Sequence, residues 1–362
     1  MGALVLGEAF FRFHDPLGQR LRGNSIVLPV NQRYIVEQKH ASKLEPVIVH
    51  SRNALGFRGP DPPRDFDRHL TIVAVGGSTT ECMYLSDGRD WPALVGHGLA
   101  PSIPSVWMNN AGLNGHSTFG HLMLLRQHIA ALHPRVVVLM AGVNDVARGD
   151  LSAYDTMQIG PHTTMEALAQ RSALASAALN GWRAWKASRA GLLHPQMDLR
   201  KWPQDVGRRA DAEGLLNFHR QFLPAYRQRL EIISRLCREA GIELVLVTQP
   251  MLYGPVVDDQ TGVDLGRIAV IPAQGVNGTL AWDALELYND VMRQLGADER
   301  LLVIDVARRM PKSSRFFYDF MHFTPAGAAR VADIVIPPLC ARLGADFPEF
   351  STRSCPVAAA SR

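Results

Sequence analysis

A serine, a histidine and an aspartate in this chain stand where they could act as nucleophile, general base and orienting carboxylate. Ser78 lies in the stretch Leu70–Glu81, LTIVAVGGSTTE, where a strand-length run with five apolar residues leads straight into Gly76 and Gly77 and the serine follows at once. Two glycines let the backbone turn tightly or approach another group. Far downstream, Asp319 and His322 lie three apart in YDFMHFTPAG, on a loop before a helix. That spacing lets the carboxylate accept the imidazole Nδ1–H while Nε2 faces outward. Each feature has a plainer reading: Ser78 or Thr79 as a helix N-cap, and His322 as a partly buried loop histidine. A phosphate-cradling loop at Gly76-Gly77 lacks the further glycines or the Lys that such loops require.

Two more stretches bear on the same chemistry. Asn109 to Thr118, NNAGLNGHST, carries glycines at 112 and 115 after a second apolar run. Its functional reading is a backbone N–H near Gly115 aimed at a developing oxyanion; its plain reading is a turn before a helix. Asn144, in AGVND after a third apolar run, either caps the next segment or donates its amide to the same oxyanion. Asp145 beside it reads as a loop-orienting residue and not as the triad acid. His116, His121, His128 and His133 read as loop or helix surface, and no HExxH pattern favours zinc.

The elements that must position these residues follow a parallel rhythm. Strands are expected at Leu70–Val75, Val106–Asn110, Arg135–Met140, Ile242–Thr248 and Leu301–Asp305. Three are near-continuous apolar runs, the pattern of strands covered on both faces. Helices are expected at Thr118–Leu132, at Leu215–Ala240 with Pro224 as a kink or boundary, at Trp282–Leu295, and from Pro325 to Leu343. The last has Thr324 as N-cap and Pro325 at its first position, and Pro337-Pro338 should interrupt it. Alternating strands and helices give an α/β fold with a doubly wound parallel sheet. Ser78, Gly115, Asn144 and the Asp319/His322 pair then follow strands one, two, three and five, at the edge where such sheets bind ligands.

Residues 1–68 read as an irregular, extended N-terminal arm, residues 69–345 as the main domain and 346–362 as a loose tail. The interval 150–214 breaks the rhythm and reads as a helical insertion over the site, a lid or substrate-binding element. Its Trp182, Trp185 and Trp202 could stack on sugar rings or form lid core.

With 362 residues, 47% hydrophobic and 20% charged, the chain can build a sizeable core. Its net charge, 38 − 34 = +4, is mild. The basic stretch Arg183–Arg209 lacks any nucleic-acid-binding spacing, so no nucleic-acid partner is expected. Cys82, Cys237, Cys340 and Cys355 form no CxxC, which disfavours zinc and makes buried thiols the default, with disulfides left open. The apolar N-terminus MGALVLGEAFF is too short to span a bilayer and lacks the marks of a signal peptide. As written the chain reads as cytoplasmic. The alternative is a cell-envelope protein held at the membrane through an N-terminal anchor whose upstream part is missing.

Taken together, Gly76-Gly77-Ser78-Thr79-Thr80, Asn110-Ala-Gly-Leu-Asn-Gly115, Gly142-Val-Asn144-Asp145 and Asp319-Phe-Met-His322 resemble the four blocks of the SGNH hydrolases, the GDSL-type esterase and lipase superfamily. Gly-Gly-Ser replaces the usual Gly-Asp-Ser. The resemblance implies a three-layer α/β/α flavodoxin-like sandwich with a five-stranded parallel sheet and no metal or cofactor. It implies Ser78, His322 and Asp319 as catalytic residues, and Ser78, Gly115 and Asn144 as the oxyanion hole. The expected activity is hydrolysis of small O-acyl esters on a small molecule or glycan. Within the enzyme class the alternatives are an acyltransferase on envelope glycans and a lipid or thioester hydrolase. From another class comes a non-catalytic binding protein with the same fold.

Overall fold

The computed structural model describes residues 2–13, 21–22, 25–38, 42–147, 171–175, 177–178, 181–182, 196–204 and 212–355. Its centre is a parallel sheet of β3 (Leu70–Gly76), β4 (Val106–Asn110), β5 (Val136–Ala141), β6 (Glu243–Thr248) and β7 (Leu302–Ile304). The strands lie in the order β4-β3-β5-β6-β7, every neighbouring pair parallel. This is the flavodoxin-like order, with the topological switch between β3 and β5. The five expected strands are all present, with ends within two residues of expectation.

Alternation along the strands assigns each face its helices. Leu70, Ile72, Ala74, Val136, Val138 and Met140 pack with Trp91, Val95 and Leu99 of α3 (Trp91–Leu99) and with Val331, Val335 and Leu339 of α8 (Pro325–Asp346). Val73, Val75, Val137 and Leu139 face the opposite layer. That layer holds α4 (Thr118–Leu124), which runs on through a π turn to Leu132, α6 (Leu223–Glu239) and α7 (Gly278–Glu299). Each aliphatic side chain taken fully out of water contributes about 1.5–3 kcal/mol. Every residue of β3 and β5 is buried, so these strands are the least free to shift.

One local expectation is overturned and two left open are settled. Pro337 and Pro338 do not interrupt α8, which continues to Asp346. Pro338 cannot donate to the carbonyl of Ile334, and Arg309 Nη1 approaches that oxygen at 3.4 Å instead. Leu339, Cys340 and Leu343 stay buried beyond the prolines, so core packing holds the helix together. The segment 215–240 is two helices, α5 (Ala212–Arg220) and α6, with Pro224 in the first turn of the second. Cys340 and Cys355 form a disulfide, whereas Cys82 and Cys237 are free and buried.

The N-terminal 68 residues are less irregular than expected. They contain α1 (Gly2–Phe13), an antiparallel pairing of Leu21–Arg22 with Ser25–Ile26, and antiparallel β1 (Gln32–Glu37) and β2 (Val47–Arg52). The start of the tail is tethered: Thr352 N donates to Ser102 O at 2.9 Å, and Cys355 is in the disulfide. Most of the insertion 150–214, with Trp185, lies outside the described residues. Its segment 196–204 lies along the sheet-edge loops, where Met197 N donates to Tyr318 O at 2.8 Å. Among the described residues no helix is long and apolar enough to cross a membrane.

Candidate active site

Ser78 is the first residue of α2 (Ser78–Glu81), a single turn whose N-cap is Gly77. The strand therefore delivers the serine at its C-terminal end, and the helical turn fixes its direction. Ser78 keeps only 7% of its surface exposed.

Several groups grip this turn from outside. Asn110 Nδ2 donates to Thr80 O at 2.6 Å and to Asp90 Oδ1 at 3.0 Å. Thr79 Oγ1 donates to Gln249 Oε1 at 3.0 Å. Arg58 donates to the carbonyls of Glu81, Cys82 and Leu85 at 2.6, 2.7 and 2.8 Å, capping the end of the turn. Arg52 pairs with the Glu81 carboxylate, and both side chains are buried. Breaking such a pair on one side leaves an uncompensated buried charge. Neither arginine stands out in the sequence, because both lie in the arm with no periodic pattern around them.

The loop after β4 runs alongside β3. Ala111 N donates to Ala74 O and Leu113 N to Gly76 O, at 2.8 and 3.0 Å. Gly112 is pressed against α2, since a Cβ there would lie 2.3 Å from Glu81 N. Gly115 has φ +77°, a conformation that favours glycine. The loop after β5 meets this loop from the other side: Asn144 Nδ2 donates to His116 O at 3.0 Å. Asp145 is fully buried and accepts from Thr118 N at 3.1 Å and from Thr118 Oγ1 at 2.5 Å. Arg229 of α6 approaches Asp145 at 3.4 Å and donates to Thr118 Oγ1 at 2.7 Å. Asp145 thus orients the loop, as its sequence position suggests.

The N–H groups of Ser78 and Gly115 have no acceptor among the described residues. Asn144 uses one amide hydrogen on His116, which leaves the second. These three donors lie on the segments that follow β3, β4 and β5 at one sheet edge.

The loop carrying Asp319 and His322 is closed on itself. Tyr318 N donates to His322 O and Thr324 N to Phe316 O, each at 3.0 Å. Asp319 Oδ1 accepts from the N–H groups of Met321 and His322 at 2.9 and 2.7 Å. This Asx turn leaves Oδ2 for the imidazole, 2.6 Å from His322 Nδ1. On the far side of the ring, His322 Nε2 lies 2.7 Å from Ser78 Oγ. Residues 244 positions apart are thereby joined in one hydrogen-bonded row. Burial alone would raise the Asp319 carboxyl, but the imidazole and the two backbone N–H groups together hold it below the ordinary carboxylate value.

Tyr318 was not singled out by sequence, yet its ring stacks on the His322 imidazole, with centroids 5.6 Å apart and planes at 16°. Its aromatic character beside Asp319 was the available signal. Cys82, four residues after Ser78, fills core and does not line the site. Its Sγ donates to Thr79 O at 3.2 Å, and burial pushes the thiol well above its usual pKa. Among the described residues no cluster of His, Cys, Asp and Glu could hold a metal ion.

Comparison with known proteins adds to this geometry. No curated protein matches the chain in sequence. Among solved structures it is similar to an acetylxylan esterase from Geobacillus stearothermophilus, at 14% identity and a TM-score of 0.43, over 74% of this chain and 93% of that one. It is also similar to a putative lipolytic protein of the G-D-S-L family from Desulfitobacterium hafniense, at 12% identity and a TM-score of 0.39, over 74% and 99% of the two chains. Over residues 74–330 the sequence matches the GDSL-like lipase/acylhydrolase family. That span runs from β3 into α8 and takes in all four sequence blocks, so the chain belongs to this family and is a hydrolase acting on ester bonds.

Proposed function

We propose that the protein is a serine esterase that removes small O-acyl groups, acetyl foremost, through an acyl-enzyme. The observation that carries this reading is the row Asp319–His322–Ser78, with contacts of 2.6 and 2.7 Å. Ser78 Oγ attacks the ester carbonyl as His322 Nε2 takes its proton. Asp319 holds the imidazole with Nδ1 protonated and stabilises the imidazolium. The Ser78 and Gly115 N–H groups and the Asn144 amide receive the oxyanion, each contributing about 10²–10³ in turnover. The tetrahedral intermediate collapses as His322 returns the proton to the leaving alcohol. Water then attacks the acyl-serine, with His322 again as base. The slight exposure of Ser78 and its enclosure by buried side chains favour a short acyl group.

The test pairs intact-mass analysis after fluorophosphonate treatment with hydrolysis of p-nitrophenyl acetate, butyrate and octanoate. A single adduct that disappears in Ser78→Ala, with acetate turned over fastest, supports the proposal. Labelling that survives the substitution places the nucleophile elsewhere. Octanoate preference replaces the small-acyl reading with a lipid-like one. Product that forms only when a sugar acceptor is added makes the protein a transferase.

A further inference from the structure

Behind the His322 loop lies a cavity of about 840 Å³ that the triad does not use. Four parts of the chain meet around it: Ser42-Lys43 from the N-terminal region, residues 196–200, Gln260-Thr261, and the stretch 314–326 that carries His322. Its volume is that of a small-molecule site.

The lining has a definite chemical character. Arg200 and Arg315 both line the cavity and both are exposed. Neither guanidinium has a hydrogen bond or ion pair to any described residue; Arg315 only lies against the Phe316 ring, at 5.6 Å. The other charges there are already matched. Asp198 pairs with Lys201 at 3.2 Å. Lys43 Nζ donates to Ser314 O and Phe317 O at 2.6 and 3.3 Å. Asp258, behind the wall, accepts from Ser314 and Thr261. What remains unmatched is positive and fork-shaped, suited to two-point recognition of a carboxylate or phosphate. Neutral hydrogen-bonding groups, Gln196, Thr261 and Ser42 among them, surround the two forks. These groups already bond within the chain, Gln196 to Lys43 N and to Ser42, and Thr261 to Asp258, so the two guanidinium forks are what a ligand would meet unmatched.

The cavity is also close to the proposed chemistry. Its Met197 donates to Tyr318 O, and the Tyr318 ring stacks on His322. We infer that this cavity binds an anionic sugar unit, carrying a carboxylate or a phosphate, of the glycan whose ester is cleaved at Ser78. The inference rests on the esterase reading for the identity of that glycan, and on Arg200 and Arg315 for the anion.

The test is equilibrium binding by calorimetry to the Ser78→Ala protein, so that it does not depend on turnover. The probes are a galacturonate trisaccharide, glucose 6-phosphate and the neutral xylotriose. An anionic probe is expected to bind at least about tenfold tighter than xylotriose, and to weaken as salt is raised, because exposed charges are screened. Arg200→Glu/Arg315→Glu, with unchanged melting temperature, should abolish that preference. The galacturonate and phosphate arms then separate the two anions. Equal binding of neutral and anionic probes, no binding of any probe, or a charge-reversed variant that keeps the preference each overturns the inference. None of these results touches the esterase reading, which stands or falls on the fluorophosphonate adduct.

Discussion

The Asn144 amide occupies the space that a side chain on Gly77 would need. A Cβ at residue 77 would lie 2.4 Å from Asn144 Nδ2 and 3.0 Å from His116 O. The family's usual Gly-Asp-Ser therefore does not fit this site as built, which gives Gly-Gly-Ser a physical reason. The atom displaced first is the end of a side chain, so the cost falls on the proposed oxyanion site before it falls on the fold. Gly77→Ala should lower kcat/KM for p-nitrophenyl acetate by about 10²–10³, the cost of one misplaced oxyanion donor. Its melting temperature should change little. Activity within threefold of the parent would show that Asn144 is not needed where it stands.

Asp319 provides a pH test. Its folded-state pKa lies below the ordinary value of 3.8, so it adds stability above that pH. The contribution is lost as pH falls from about 4 through the depressed folded value. Asp319→Asn should therefore flatten the loss of stability below about pH 4, as read by urea midpoints across the acid range. It should also lower kcat by about 10³–10⁴, because an amide at this place favours the wrong imidazole tautomer. An unchanged acid slope would mean that the carboxylate is no better stabilised folded than unfolded.

The Cys340–Cys355 bridge closes a loop of 15 residues and ties the chain after α8 back to that helix. A loop of this length corresponds to about 3 kcal/mol of stabilisation. Cys340→Ala/Cys355→Ala should lower stability by about that amount, and dithiothreitol should lower the parent's melting temperature but not the variant's. Esterase activity at 25 °C should persist, since neither cysteine approaches Ser78. A parent insensitive to reductant would mean that the bridge is absent in solution.

Much of the site was legible because its residues follow buried strands, and buried parallel strands are apolar runs bounded by turn residues. Ser78, Gly115 and Asn144 come within a few residues of β3, β4 and β5, so identifying the strands placed them at one sheet edge. Asp319 and His322 were legible through their spacing, which a short Asx turn can satisfy. Arg52 and Arg58 were not legible, because nothing in a sequence tells a solvated arginine from one buried across 23 residues against the carbonyl ends of a helical turn. The continuity of α8 through Pro337-Pro338 was misread for a related reason. Local propensity opposes it, and only the packing of Leu339, Cys340 and Leu343 overrides that propensity. The 196–200 wall of the cavity beside the His322 loop carries no periodic signal. Its position depends on tertiary contacts such as Met197 to Tyr318.

The stacking of Tyr318 on His322 gives the last prediction. A general base must hold its ring orientation while Nδ1 bonds Asp319 and Nε2 faces Ser78, and the hydrogen bonds alone leave the ring free to tilt about their axis. Tyr318 is buried, and its ring lies nearly parallel to the imidazole. Tyr84 packs edge-on against the Tyr318 ring, with centroids 6.2 Å apart. The aromatic plane, and not the hydroxyl, is what meets His322. Tyr318→Phe should therefore keep most of the activity, while Tyr318→Leu should lower kcat by about tenfold or more with KM little changed. A structural role alone would lower the melting temperature of Tyr318→Leu and leave kcat per folded molecule intact, so titrating active sites with fluorophosphonate separates the two. If the leucine variant matches the parent in turnover per labelled site, the tyrosine only fills space, and Asp319 suffices to orient the base.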